Sequence, residues 1–96
     1  MSGSIQIDEG LITFSDQLDI TMVTAYYEQL SQLLIEQKNI LINAENVERI
    51  DGAGLQLLVA FFKEAKSLSI KLEWQSCSEA LKDSAELSGL TGNLDL

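Results

Sequence analysis

Apolar residues in this chain change their repeat along its length, and that change most limits what the chain can fold into. Ile5-Gln6-Ile7-Asp8 alternates apolar with polar, as a half-buried strand does. Glu9-Gly10 is a turn signal, and Leu11-Ile12-Thr13-Phe14 reads as the antiparallel partner strand. Ser15-Asp16-Gln17 reads as a polar loop. From Thr21 the repeat becomes helical, with Val23, Tyr26, Tyr27, Leu30, Leu33 and Leu34 on one stripe. Thr21 or Asp19 caps this helix at its start and Asn39 ends it.

Ile40-Leu41-Ile42 is a short continuous apolar run, the pattern of a strand covered on both faces. The loop Asn43-Ala44-Glu45-Asn46 leads to Val47-Glu48-Arg49-Ile50, then Asp51-Gly52-Ala53-Gly54, then a strongly apolar helix from about Leu55 to Ser67. Ile70-Lys71-Leu72-Glu73-Trp74 alternates again. Ser78 is a good cap for a last helix that turns Ala80, Leu81, Ser84 and Leu87 inward, and Gly89 suits its stop. The predicted order is β-β-α-β-α-β-α, an α/β domain with a mixed sheet of about four strands and three to four helices. The helices pack on one sheet face or divide between two. No internal repeat, proline or linker interrupts the 96 residues, so 1–96 is read as a single domain.

Charge and absences exclude several functions. Six Lys+Arg against fifteen Asp+Glu give −9, a balance that repels nucleic acid and anionic lipid. With no histidine there is no Ser-His-Asp triad, Cys-His pair or imidazole metal site. One cysteine, Cys77, leaves no partner for an intramolecular disulfide or a zinc motif, and with no cation near it in sequence it reads as an inert core thiol. Met1-Ser2-Gly3-Ser4 lacks the basic and apolar regions of a signal peptide. The longest apolar run, Leu57 to Phe62, is six residues and far too short to cross a bilayer. The expectation is a cytoplasmic protein that is not an enzyme and carries no cofactor and no metal. It neither binds nucleic acid nor inserts in a membrane.

The nearest thing to a functional motif is Asp51-Gly52-Ala53-Gly54-Leu55. Asp51 fits as a helix cap. Two glycines in a first helical turn are costly, at roughly 0.5–1 kcal/mol each against alanine. Either the corner is so tight that only hydrogen fits, or a bare backbone is left for another protein to approach. A phosphate cradle fits poorly, because no Lys-Ser/Thr follows and Glu45, Glu48 and Asp51 repel an anion. The following helix is apolar over a wide arc. Its Leu57/Phe61 or Leu55/Val59 flank must be covered by the first helix or by another protein. Paired acids such as Asp8/Glu9 and Glu45/Glu48 read as solvated charge, and Tyr26 and Tyr27 as core packing with hydroxyls at the rim.

The element order, the segment Ile50-Asp51-Gly52-Ala53-Gly54-Leu55 entering an apolar helix, and Leu87-Ser88-Gly89-Leu90 closing the last one together resemble the STAS domain. That domain is found in anti-sigma-factor antagonists and sulfate transporters. The resemblance implies a binding switch in bacterial signalling and transcription regulation rather than an enzyme. In antagonist members an Asp-Ser/Thr-Ser/Ala-Gly-Leu segment at this helix start docks on a kinase-type anti-sigma factor, and phosphorylation of a serine there ends the association. Asp51, Gly54 and Leu55 match that segment; Gly52 and Ala53 stand where the hydroxyl would be. The resemblance therefore implies partner binding through Asp51, Gly52, Ala53, Gly54, Leu55, Leu57 and Phe61. Ala53 and Gly52 form a degenerate phosphoacceptor position, and control lies elsewhere. Replacing Gly54 by arginine is expected to abolish docking and leave the fold intact. The alternative is the cytoplasmic STAS subunit of a lipid-transport ABC complex, docking on the transporter subunits, where Gly52 falls at a position commonly held by threonine.

Overall fold

The computed structural model describes residues 5–96, and Met1–Ser4, the segment read as lacking a signal peptide, lie outside them. The chain runs β1 (Ile5–Asp8), β2 (Leu11–Phe14), β3 (Gln17–Leu18), α1 (Ile20–Glu36), β4 (Asn39–Ala44), β5 (Arg49–Ile50), α2 (Gly52–Ser67), β6 (Lys71–Cys77) and α3 (Glu79–Leu87). This is the expected mixed α/β architecture with two short strands added. The main sheet has the order β1-β2-β4-β6. Only β1–β2 is antiparallel, because only that pair is joined by a tight turn; β2–β4 and β4–β6 are parallel and take helical crossovers.

Register sorts the side chains into two faces. Ile12, Phe14, Ile40, Ile42 and Ala44 point to one side and are buried, with Leu72 and Trp74 of β6 packed against the same core. Thr13, Leu41, Asn43, Lys71 and Glu73 point to the other, where no helix covers them. Leu41 is 41% exposed. The expectation that Ile40-Leu41-Ile42 is covered on both faces is therefore corrected. All the helices share one face, and β4 alternates like a strand with one wet side.

On the covered side α1 and α2 pack against each other. Phe14 lies against Tyr26 with ring centroids 5.9 Å apart, and Phe62 stacks on Trp74 at 5.5 Å. The indole Nε1–H of Trp74 donates to the carbonyl of Leu94 at 2.7 Å, which ties the last turn of the chain to β6 and buries Leu94.

Several element ends differ from expectation. Asp19, not Thr21, caps α1. Asn39 does not end that helix. Gln37 does, through its N–H to the Leu33 carbonyl, and Asn39 opens β4 opposite Lys71. Ser78 caps α3, and Gly89 follows it at φ 70°, a left-handed position that an L side chain resists. Leu87 is 89% exposed, because the nine-residue helix turns Leu81 and Ala85 to the core and leaves Leu87 on the opposite side. Tyr27 is 57% exposed, and Tyr26 takes the buried place with its hydroxyl inside the protein and unpartnered rather than at the rim. Among the described residues no helix is long and apolar enough to cross a membrane.

Candidate functional site

The corner before α2 is built from two copies of one arrangement. Gln17 is expected in the loop Ser15-Asp16-Gln17, but with Leu18 it forms β3, parallel to Arg49 and Ile50 of β5, in the register Gln17–Arg49 and Leu18–Ile50. The Asp16 carbonyl holds this ribbon in place, accepting from the N–H groups of Glu48 at 2.8 Å and Arg49 at 3.0 Å. Each strand is followed by an aspartate, and each aspartate starts a helix. Asp19 caps α1 and Asp51 caps α2.

The two caps bond differently. Asp19 Oδ1 accepts from the Thr21 N–H at 3.0 Å and from the Thr21 hydroxyl at 2.5 Å, and its Oδ2 accepts from the Gln17 amide. These bonds, the Gln17 bond foremost, hold the Asp19 carboxyl below the ordinary value of 3.8. Asp51 Oδ1 accepts from the Gly54 N–H at 2.9 Å, closing the first turn of α2. Its Oδ2 accepts from the Ile20 N–H at 3.2 Å and so reaches across to the start of α1. One carboxylate thus joins two helix starts. A phosphate at this corner would compete with Asp51 for the Ile20 and Gly54 N–H groups.

Burial divides the residues that the sequence singles out. Asp51 and Gly52 are exposed and Ala53 is half-buried. A Cβ on Gly52 would meet nothing within 4 Å. Gly54 and Leu55 are buried, and a Cβ on Gly54 would stand 2.2 Å from the Leu18 carbonyl oxygen. The tight-corner explanation therefore accounts for Gly54 and the open-backbone one for Gly52. Leu57 and Phe61 are 5% and 4% exposed and lie beneath the line where α1 meets α2. The first helix covers that flank. Gly54, Leu55, Leu57 and Phe61 thus face the chain's own interior, and the exposed part of the expected docking segment shrinks to Asp51, Gly52 and the edge of Ala53.

The structure also adds a residue. Ile20 is 70% exposed between Asp19, its chain neighbour, and Asp51, which its N–H meets. A signal for it was present, since Leu18-Asp19 precedes one helix as Ile50-Asp51 precedes the other. Nothing here gathers metal ligands. Among the described residues no three of His, Cys, Asp and Glu come together in a way that could hold an ion. Cys77 ends β6 opposite Ala44, and burial pushes its thiol up to about 11.

The family model of the STAS domain matches residues 4–96. The chain belongs to the STAS domain family. This STAS domain superposes on the anti-sigma factor antagonist SpoIIAA in its unphosphorylated form with a TM-score of 0.74, at 17% identity over 93% of this chain and 82% of that one. The Bacillus cell fate determinant SpoIIAA in the phosphorylated form gives 0.71 at 17% identity, over 93% and 85% of the two chains. The protein Mglu gives 0.63 at 14% identity over 81% of this STAS domain, which spans 21% of that chain. At these identities the likeness is one of fold. No curated protein sequence matches the chain.

Proposed function

We propose that this STAS domain is a non-enzymatic docking module of cytoplasmic signalling and transcription regulation, of the anti-sigma-factor-antagonist kind. It lands on a regulatory protein through the corner where β3 and β5 run into α1 and α2. The observation that carries this reading is the bare, open backbone at Gly52, held outward by a carboxylate that ties both helix starts together. A fixed corner loses little freedom when a partner covers it, which favours docking over catalysis. Two features support a role without chemistry. The chain has no histidine, and its own aspartates already take the Ile20, Thr21 and Gly54 N–H groups at the two helix starts. Likeness of fold to an anti-sigma factor antagonist supports the class of partner.

Phosphorylation does not switch this module at Gly52 or Ala53, because neither has an oxygen to accept a phosphoryl group. The test is to mix the protein with a kinase-type anti-sigma factor and ATP, beside an Ala53→Ser variant. The reading expects the wild type to bind, to take no phosphate within residues 51–55 and to stay bound. The variant is expected to be phosphorylated and released. Release of the wild type by ATP would overturn it. So would binding to the ATPase and permease of a lipid transporter in place of the kinase, which is the outcome the transport-subunit alternative expects.

A further inference from the structure

A second surface lies about 12 Å along α2 from Gly52, eight residues at the helical rise. There α1 and α2 leave a groove of about 320 Å³ between them. One wall is Tyr27, Ser31 and Ile35 of α1, and the other is Ala60 and Glu64 of α2 with Leu68 just beyond it. Each wall is a row spaced by four, so each is a single ridge of its helix. Leu34, Leu57 and Phe61 form the floor. Tyr27, Ile35 and Leu68 are 57%, 78% and 50% exposed, which leaves three large apolar side chains in water around one cleft. Two ridges over an apolar floor are the shape that seats a third helix through anchors at i, i+3 or i+4, and i+7.

Charge selects the occupant. Glu64 is the charged residue in the lining, and α1 from Ile20 to Glu36 carries two glutamates and no lysine or arginine. Of the cations on α2, Lys66 is turned to Asp95 at 3.7 Å, and Lys63 sits one residue from Glu64, a hundred degrees round the helix. The whole chain carries −9, which opposes both a second copy of itself and an anionic lipid surface. We propose that this groove is a docking site for a basic amphipathic helix of a partner protein, separate from the corner at Gly52.

The probe is a synthetic three-turn helix with leucines at i, i+4 and i+7 and lysines elsewhere, titrated into the 15N-labelled protein. Its counterpart with glutamates in place of the lysines runs beside it. The expected result is saturable shift changes at Ser31, Ile35, Ala60 and Glu64 with the basic helix and not with the acidic one. Ile35→Gln, at an exposed position that leaves the core intact, is expected to weaken binding about tenfold. Glu64→Gln is expected to weaken it less and to flatten its salt dependence. Equal response to both peptides, or shifts scattered over acidic surfaces and indifferent to Ile35→Gln, overturns the proposal. Doubling of the protein's mass with concentration, abolished by Ile35→Gln, also overturns it, because the occupant is then a second copy. Failure of docking at the Gly52 corner leaves all these readouts unaffected.

Discussion

Gly54 is pressed against Leu18. A Cβ on Gly54 would stand 2.2 Å from the Leu18 carbonyl oxygen and 3.1 Å from Ile50 Cγ1, so the missing side chain is what lets α2 start against the β3–β5 ribbon. Backbone cannot yield as a side-chain tip can. Gly54→Ala is expected to cost about 1–3 kcal/mol in urea unfolding. Gly52→Ala has open space around it and is expected to be neutral or to stabilise by up to about 1 kcal/mol. Equal effects at the two glycines would contradict this division. The contact also corrects the use of Gly54→Arg as a docking probe, since that change attacks the fold before any partner is involved.

Asp19 gives the corner a pH dependence. Its carboxyl is depressed in the folded protein, so its contribution to stability is present above the ordinary value of 3.8 and is lost as pH falls through the lower folded value. Asp19→Asn is therefore expected to lower the melting temperature at neutral pH. The gap from wild type should close progressively below about pH 4. A gap that persists unchanged into acid would contradict the assignment.

Tyr26 buries its hydroxyl beside that of Ser15 with neither making a full hydrogen bond, and burial raises its pKa. Tyr26→Phe keeps the ring against Phe14 and removes the unsatisfied group. It is expected to leave stability unchanged or raise it by about 1 kcal/mol. A loss of that size would show that the hydroxyl has a bonding partner.

Cys77 is expected to resist alkylation. With its thiol near 11 rather than 9.0, the thiolate fraction at pH 8 falls roughly a hundredfold. Iodoacetamide labelling followed by mass should be slow in the native protein and fast in denaturant. Rapid native labelling would mean that the strand end opens to solvent.

Much of the architecture could be read from periodicity, because strands Ile5–Asp8 and Leu11–Phe14 and helices α1 and α2 each have a side facing one core. The two-residue strands β3 and β5 could not, since Gln17-Leu18 and Arg49-Ile50 are too short to show any repeat. The one-sided covering of β4 is not legible for a related reason. Leu41 is apolar but sits on the wet face, and a three-residue run does not reveal which side carries helices. At the site, Asp51 was legible as a cap because capping is local. The burial of Gly54, Leu57 and Phe61 depends on where Leu18 and α1 come to lie, and that is a long-range fact. Ile20 shows only in the repeat of Leu18-Asp19 and Ile50-Asp51 ahead of the two helices, because one exposed apolar residue at a helix start leaves the stripe of that helix unchanged.

If a partner lands on the open backbone at Gly52, Gly52→Lys tests it most directly, since a Cβ at this exposed position meets nothing of the protein's own within 4 Å. The affinity of wild type and variant for a kinase-type anti-sigma factor should be measured by calorimetry beside their melting temperatures. The account predicts unchanged melting and at least about a tenfold loss of affinity, as expected of a blocked interface centre. Unchanged affinity with the fold intact would contradict it.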